Sequence, residues 1–252
     1  MRFLQHLRKA LVAIFATAAF CSAAKAGPCE KIEEKGSPYV VCAFDPAQAD
    51  IRLFLRNDKG DLFGAFEPLA DDVAAHGGKL VFAMNAGMFM PDYSPVGLYM
   101  EKRQELRPIN RANGAGNFNL KPNGIFWVRG ATAGVTETQA FQRQNFRPDY
   151  ATQSGPMLVV NGKIHPKIRP DGMSLKTRNG VGQCADGKIR FAISDDAVSF
   201  YDFAALFRDR LKCPNALFLD GSVSSLYAPD LKRNDGWRTF GPIVGVTEGL
   251  KK

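Results

Sequence analysis

The sequence has few of the residues from which metal sites are most often built. It contains three histidines and five cysteines in 252 residues, and no two cysteines are separated by two residues. Structural zinc sites usually combine four cysteine or histidine ligands, often in closely spaced pairs. The sequence therefore does not predict a zinc site.

The sequence also lacks an apolar run of about 20 residues, the length that a membrane-spanning helix needs. Its longest such stretch, residues 10–20, follows a basic segment and precedes the small residues of Ala24–Ala26. This layout is typical of a secretory signal peptide. We therefore expect residues 1–26 to be removed, leaving residues 27–252 as one periplasmic or secreted domain without a membrane span.

No dense cluster of basic residues interrupts the chain. Residues 1–26 hold four of the 33 basic residues and none of the 25 acidic ones, so the expected mature chain has a net charge of +4 rather than +8. A nucleic-acid-binding surface usually gathers its basic residues on one face. Charge and spacing therefore predict no nucleic-acid partner.

Four cysteines remain after the expected cleavage: Cys29, Cys42, Cys184 and Cys213. An even number in an exported protein predicts two disulfides. Three pairings are available. We favour the local pairs, Cys29–Cys42 and Cys184–Cys213, because each flanks one supersecondary unit.

The remaining pattern is one of short strands separated by turn residues. Asn161-Gly162 and Asp186-Gly187 lie between apolar segments and predict hairpins. Two segments have helical character, residues 68–78 and residues 199–211. In the second, Ser199 is positioned to cap the helix. We expect a single α+β domain with a mixed or mostly antiparallel sheet and two main helices packed against it.

The second predicted helix leads into an apolar strand that ends at Asp220. Three serines follow within five residues. Three other segments also combine a strand end with small polar residues. The four segments are "FAMNAGMF" (82–89), "SGPMLVVNG" (154–162), "RNGVG" (178–182) and "NALFLDGSVSSLY" (215–227). Each one alone is typical of an ordinary turn.

Taken together, the order and spacing of these segments resemble the phosphodiester glycosidase family, which includes the lysosomal "uncovering" enzyme. The resemblance extends over residues 80–227, and "SGPMLVVNG" and "ALFLDGSVSS" are its more specific parts. It implies an exported hydrolase that cleaves a glycosidic bond to phosphate, or a related glycosidic bond. One difference is the turn after Asp220, where the family usually has consecutive glycines and this chain has Val223. That difference leaves the identity of the substrate open.

Such a reaction needs a carboxylate near the anomeric carbon, which develops oxocarbenium character, and cationic and neutral groups that bind the phosphate. We expect Asp220 and Asp195 to be the catalytic carboxylates and Arg178 to clamp the phosphate. Glycine backbone N–H groups can approach a ligand closely because no Cβ intervenes. The other expected substrate-binding residues are Asn85, Ser154, Gly155, Asn179, Gly221, Ser224 and Ser225.

No organic cofactor is indicated. Asp220, Asp195 and Asn85 are hard oxygen ligands that could hold a divalent cation, although their spacing does not require one. A serine hydrolase would need His76 or His165 as its base, and "GSVSS" does not match the G-x-S-x-G motif. The same polar residues would also suit a non-catalytic protein that binds envelope polysaccharide or sugar phosphate, or a purely structural envelope protein.

Overall fold

The computed structural model describes residues 27–236 and 238–250. The expected signal peptide lies outside the described residues. Within them, three sheets are formed whose strand pairs are all antiparallel. This confirms the expected α+β class with mostly antiparallel strands. The structure has three sheets where the sequence predicted one, because alternation identifies strands but not the partners they choose.

The first sheet has seven strands and contains the strand that leads to Asp220. Its members, in spatial order, are β1 (Cys29–Glu34), β2 (Ser37–Phe44), β13 (Ile189–Ser194), β12 (Asn179–Gln183), β14 (Asn215–Phe218), β10 (Met157–Val160) and β11 (Lys163–Ile164). The β10–β11 hairpin turns at Asn161-Gly162, where both residues have positive φ. This is the backbone that a two-residue type I′ turn requires.

The second and third sheets have five strands each. The second consists of β16 (Arg233–Asn234), β15 (Leu226–Ala228), β4 (Lys79–Asn85), β17 (Ile243–Glu248) and β3 (Asp50–Phe54). The third consists of β6 (Gln104–Arg107), β5 (Tyr99–Glu101), β9 (Tyr150–Ser154), β7 (Gly124–Arg129) and β8 (Thr132–Glu137).

Three short α-helices accompany the sheets: α1 (Phe66–Ala75), α2 (Thr138–Gln144) and α3 (Phe200–Ala205). The first and third coincide with the two predicted helices, and α3 continues as a π-helical turn to Arg210. The Ser199 hydroxyl caps α3 by accepting from the Asp202 N–H at 3.0 Å. No helix in the described parts of the chain is long and apolar enough to span a bilayer.

Helix α2 was not predicted. It has only seven residues and buries Thr138 and Phe141 as its contribution to the core. Its N-terminus is capped by the Glu137 carboxylate, which accepts from the backbone N–H groups of Gln139 and Ala140. Glutamate is not among the preferred capping residues, and two turns are too short to show helical periodicity.

Phe191 on β13 joins the three sheets at the centre of the main core. Its ring centroid lies 6.2 Å from that of Phe44 in the same sheet, 4.9 Å from Phe82 in the second sheet and 5.6 Å from Phe126 in the third. All four side chains are buried. Aromatic rings at these separations add a favourable ring–ring interaction to the effect of their buried area.

Both expected disulfides are present with the local pairing. Cys29–Cys42 links opposite residues of β1 and β2, and Cys184–Cys213 links the end of β12 to the segment before β14. The second bridge therefore ties the π-helical end of α3 to the first sheet. Disulfides of this kind persist in oxidising compartments.

We expect Phe191→Ala to lower the free energy of unfolding by about 3–5 kcal/mol, because it leaves a cavity where three sheets meet. Urea denaturation of oxidised protein measures this change. Leu106→Ala is the matched control, since Leu106 is 49 % exposed and should cost less than about 0.5 kcal/mol. Similar losses in both variants would show that Phe191 does not hold the sheets together.

Candidate active site

Strand ends from two sheets meet around Asp220. The antiparallel pairing of β12 and β14 places the start of β12 beside the end of β14, with Gly180 opposite Phe218. Asn85, the last residue of β4 in the second sheet, contacts both of these strand ends. The structure therefore brings together all four of the polar segments that the sequence singled out, since Ser154 of the second segment bonds to Leu219 of the fourth.

The side-chain amide of Asn179 connects the two sheets. Its Nδ2 donates to the main-chain oxygen of Asn85 at 3.0 Å and to Asn85 Oδ1 at 2.8 Å. Its Oδ1 accepts from the Asp220 N–H at 3.0 Å and from the Ser224 hydroxyl at 3.4 Å. Asn179 is fully buried, so these bonds satisfy an amide that has no access to water.

Asn85 completes the same network. Its Nδ2 donates to the Asp220 carbonyl at 3.1 Å, and its Oδ1 accepts from the Ser225 N–H at 2.9 Å. The Ser154 hydroxyl donates to the Leu219 carbonyl at 2.6 Å. Both ends of the turn at residues 220–225 are thus fixed by buried side chains from neighbouring strands.

The turn itself is a single 3-10 turn, Gly221–Val223. Asp220 caps it, because its Oδ1 accepts from the Ser222 N–H at 3.1 Å. Val223 is buried in a cluster that includes Phe66 and Phe240. Neither Gly221 nor Val223 has positive φ, so the valine fits where the family usually has glycine.

Gly221 is required for a different reason. A Cβ at this position would lie 2.9 Å from the Thr177 carbonyl oxygen and 2.9 Å from the Phe218 ring. Gly155 is similarly enclosed, because a Cβ there would lie 2.8 Å from the Phe118 carbonyl oxygen and 2.8 Å from the Asn123 side chain. Both glycines permit close packing against neighbouring chain segments.

Asp220 is a partly buried carboxylate without an ion pair among the described residues. Burial raises the pKa of Asp220 from 3.8 to about 6, and the hydrogen bond from the Ser222 N–H opposes the rise. A carboxyl group with this pKa changes its charge close to neutral pH. It is therefore suited to acid–base or nucleophilic chemistry.

Arg178 immediately precedes β12, and its side chain points to the opposite side of the sheet from that of Asn179, as successive residues of extended backbone do. Its Nε donates to the Val198 carbonyl at 2.9 Å, and its Nη2 donates to the Ser174 carbonyl at 2.7 Å. The guanidinium carbon lies 3.6 Å from the centre of the Phe200 ring. Two of the donors expected to clamp a phosphate are thus held by the protein itself.

Burial lowers the pKa of Arg178 to about 10, and the side chain remains protonated at neutral pH. No carboxylate forms an ion pair with it in the described ranges, so its charge is balanced only by carbonyl dipoles and aromatic faces. The Phe218 ring separates it from the Asp220 turn, since this ring lies beside the guanidinium and also close to Gly221.

Asp195 lies at the end of β13, two strands away from β14. Its carboxylate forms an ion pair with Arg233, and Arg233 also pairs with Asp235. The structure therefore places Asp195 at the same end of the first sheet as Asp220, but in a separate charge network.

Neither candidate histidine reaches the serines of the turn. His165 is buried, its Nδ1 accepts from the Lys167 N–H at 3.1 Å, and burial lowers its pKa. His76 lies at the end of α1 beside Asp58 and Asp72. Since the described residues provide no histidine–serine hydrogen bond here, the serine-hydrolase alternative lacks its base.

Two contacts at the site were missed by the sequence analysis. Arg238 Nη1 donates to the Ser222 carbonyl at 2.8 Å and brings a guanidinium to the Asp220 turn. Thr177 contacts Gly221 through its carbonyl. Neither residue lies in a recognisable motif, and both contacts join segments far apart in sequence. In the described parts of the chain, no three His, Cys, Asp or Glu side chains form a metal-binding group.

A family model for phosphodiester glycosidases matches residues 78–247, which include the entire Asp220 network. The chain belongs to the phosphodiester glycosidase family. This confirms the family indicated by the four polar segments. The family is described as phosphodiester glycosidases, so membership supports the coarse assignment to a glycosidase-related hydrolase.

Similarity to individual proteins agrees with this assignment. The chain is 37 % identical over 183 residues to the uncharacterised protein YigE of Escherichia coli K-12, covering 73 % of this chain and 71 % of YigE.

Two solved structures share the fold. The catalytic domain of zebrafish N-acetylglucosamine-1-phosphodiester alpha-N-acetylglucosaminidase, auto-inhibited by its pro-peptide, superposes with a TM-score of 0.57 at 14 % identity, covering 86 % of this chain and 81 % of that one. A protein of Burkholderia pseudomallei described as a putative exported protein superposes with a TM-score of 0.54 at 12 % identity, covering 83 % of this chain and 74 % of that one. At these identities the likeness shows the fold alone.

We expect Asp220→Asn to stabilise the protein at neutral pH. The folded-state pKa of Asp220 lies above the unfolded-state value, so the folded protein binds more protons between about pH 4 and pH 6, and its stability falls as pH rises through that window. Asparagine keeps the acceptor for the Ser222 N–H and removes the buried charge. The gain at pH 7 should be on the order of 1–3 kcal/mol and should vanish below about pH 4.

Urea denaturation at several pH values measures this difference. Asp195→Asn is the matched control, because it removes a carboxylate that Arg233 stabilises and should give no gain at pH 7. Equal stability of wild type and Asp220→Asn across the whole range would contradict a raised pKa at Asp220.

Proposed function

We propose that this protein is an exported hydrolase that cleaves the glycosidic bond between a sugar and a phosphate, or a closely related glycosidic bond. The observation that carries the proposal is the Asp220 carboxylate, which has a raised pKa, no ion pair among the described residues, and a turn fixed by buried asparagines. Membership of the phosphodiester glycosidase family supports the same chemistry.

In the proposed reaction, Asp220 acts in its ionised form. The anomeric carbon becomes positively charged as its bond to phosphate breaks, and a nearby carboxylate either stabilises that charge or attacks the carbon. A phosphate ester is a good leaving group, so the reaction depends little on a strong general acid. A pKa of about 6 leaves Asp220 mostly ionised at neutral pH.

The buried polar residues have two different roles in this proposal. Asn85, Asn179 and Ser154 position the Asp220 turn, because their side chains are engaged in hydrogen bonds to its backbone or to Leu219. Ser224 and Ser225 belong to the turn itself, and Gly155 and Gly221 allow the close packing around it. In this proposal all of these residues affect the substrate indirectly, by fixing the position of Asp220.

Two arginines near the turn are candidate cationic groups for the phosphate. Arg238 donates to the Ser222 carbonyl, and Arg178 lies behind the Phe218 ring. Guanidinium groups suit the bidentate recognition of phosphate oxygens. We propose that Arg238 binds the phosphate directly and that Arg178 contributes its positive field.

Asp195 has a separate place in the proposal. Its ion pair with Arg233 keeps its carboxylate engaged, so we assign Asp220 the bond-breaking role and Asp195 a supporting electrostatic one. The reaction as proposed uses no organic cofactor. The two disulfides suit an oxidising compartment, and we propose that the protein works in the periplasm or outside the cell after residues 1–26 are removed.

The direct test is hydrolysis of UDP-N-acetylglucosamine and a panel of nitrophenyl α-glycosides. We expect turnover by the wild type and a loss of about 10²–10⁴-fold in kcat/KM for Asp220→Asn, because the carboxylate that stabilises or attacks the anomeric carbon is removed. Asp92→Asn, which changes an exposed carboxylate, is the control and should keep full activity.

Retained activity in a folded Asp220→Asn protein would contradict the assignment of Asp220. A binding protein would give a different result: no turnover on any substrate, and a thermal shift with a sugar phosphate that leaves the ligand intact.

The pH dependence gives a second test. Because the ionised form of Asp220 is the active one, kcat/KM should fall about tenfold for each pH unit below about 6 and level off above it. Measurements of kcat/KM from pH 4 to pH 8 test this dependence. A rate that instead falls as pH rises through 6 would mean that the protonated acid is the active form.

A further inference from the structure

The loop formed by residues 166–177, named here the site-edge loop, connects β11 to β12 and ends at the candidate site. The Thr177 carbonyl lies against Gly221, the residue after Asp220. Arg178 Nη2 donates to the Ser174 carbonyl at 2.7 Å, which anchors the middle of the loop to the start of β12. The end of the loop therefore lies at the rim of the site, beside the Asp220 turn.

This loop carries an unusual pair of exposed apolar side chains. Met173 is 92 % exposed and Leu175 is 60 % exposed, and they are the two most exposed large apolar residues in the described parts of the chain. They flank Ser174, the residue that Arg178 holds. Isolated exposed apolar residues are common, but two on one anchored rim loop indicate a surface that contacts something apolar.

The same loop is cationic. It contains Lys167, Arg169 and Lys176 against a single acid, Asp171, which pairs with Arg169. Neither lysine forms an ion pair with another described residue. A loop that carries both exposed apolar side chains and lysines without an ion pair among the described residues is complementary to an anionic lipid surface, where acyl chains lie beneath negatively charged headgroups.

We propose that the site-edge loop docks the protein on an anionic lipid surface, with Met173 and Leu175 entering the acyl-chain boundary and Lys167 and Lys176 at the headgroups. Docking would bring Asp220 to the membrane surface. The inference rests on the proposed function in one respect, since it names the substrate class as a glycosyl phosphodiester carried by a lipid.

Co-sedimentation with vesicles tests the docking surface without any enzymatic readout. The mature protein should bind vesicles of phosphatidylcholine that contain phosphatidylglycerol, bind phosphatidylcholine alone much more weakly, and lose affinity as salt is added. The double substitution Met173→Ser and Leu175→Ser should weaken binding at least ~10-fold, because two apolar side chains no longer enter the bilayer. Each of Lys167→Gln and Lys176→Gln should weaken it by roughly fivefold.

Two controls make the test specific. Leu106→Ser removes another exposed apolar side chain, away from the loop, and should bind vesicles as the wild type does. Asp220→Asn should also bind normally, because the docking surface does not include the carboxylate. Circular dichroism and thermal unfolding confirm that each variant is folded.

Absence of wild-type binding to phosphatidylglycerol vesicles would overturn the proposal, as would unchanged binding by the double serine variant. A concentration-dependent dimer that disappears in the double variant would also overturn it, because the loop would then pair two copies of the chain. Vesicle binding without turnover of any glycoside would support the docking surface and contradict the proposed function.

Discussion

The amide side chain of Asn179 is the contact on which the site depends. It holds Asn85 at the end of one sheet and the backbone N–H of Asp220 at the end of another, and it is fully buried. A buried amide is costly unless all of its donors and acceptors are paired, and here each is. The network therefore ties the ends of the two sheets together and sets the position of the Asp220 backbone.

Asp220 combines a backbone fixed by hydrogen bonds with a carboxylate whose charged form is destabilised by burial. Asn85 and Asn179 form hydrogen bonds with the main chain of Asp220, whereas its carboxylate accepts from the Ser222 N–H. Among the described residues, no cation forms an ion pair with this carboxylate that would lower its pKa. Groups of this kind reduce stability and are retained where chemistry requires them. The rest of the core, with Phe191 contacting three sheets, supplies the stability that offsets this cost.

Local signals in the sequence were sufficient to predict most strands, the hairpins and two of the helices. The Asn161-Gly162 pair determines the type of its hairpin turn, and Ser199 determines where α3 begins. Both could be predicted because the atoms involved lie within a few residues of each other. The division into three sheets and the hydrogen bond from Arg178 to the Val198 carbonyl depend on contacts between segments distant in sequence. Helix α2 was missed for a local reason, because glutamate is an uncommon cap and seven residues are too few to show helical periodicity. Asn85 and Asp220 are separated by 135 residues, and only their motifs, not their hydrogen bonds, could be recognised beforehand.

The most direct test of this account is a titration of the Asp220 carboxyl carbon by NMR in the mature, oxidised protein. Asp220→Asn identifies the signal by its loss, and the other aspartates serve as internal references. We predict a pKa of about 6 for Asp220. A value near 3.8, the ordinary aspartate value, would contradict the account, because the carboxylate would then be an ordinary solvated group and the turn would not set its chemistry.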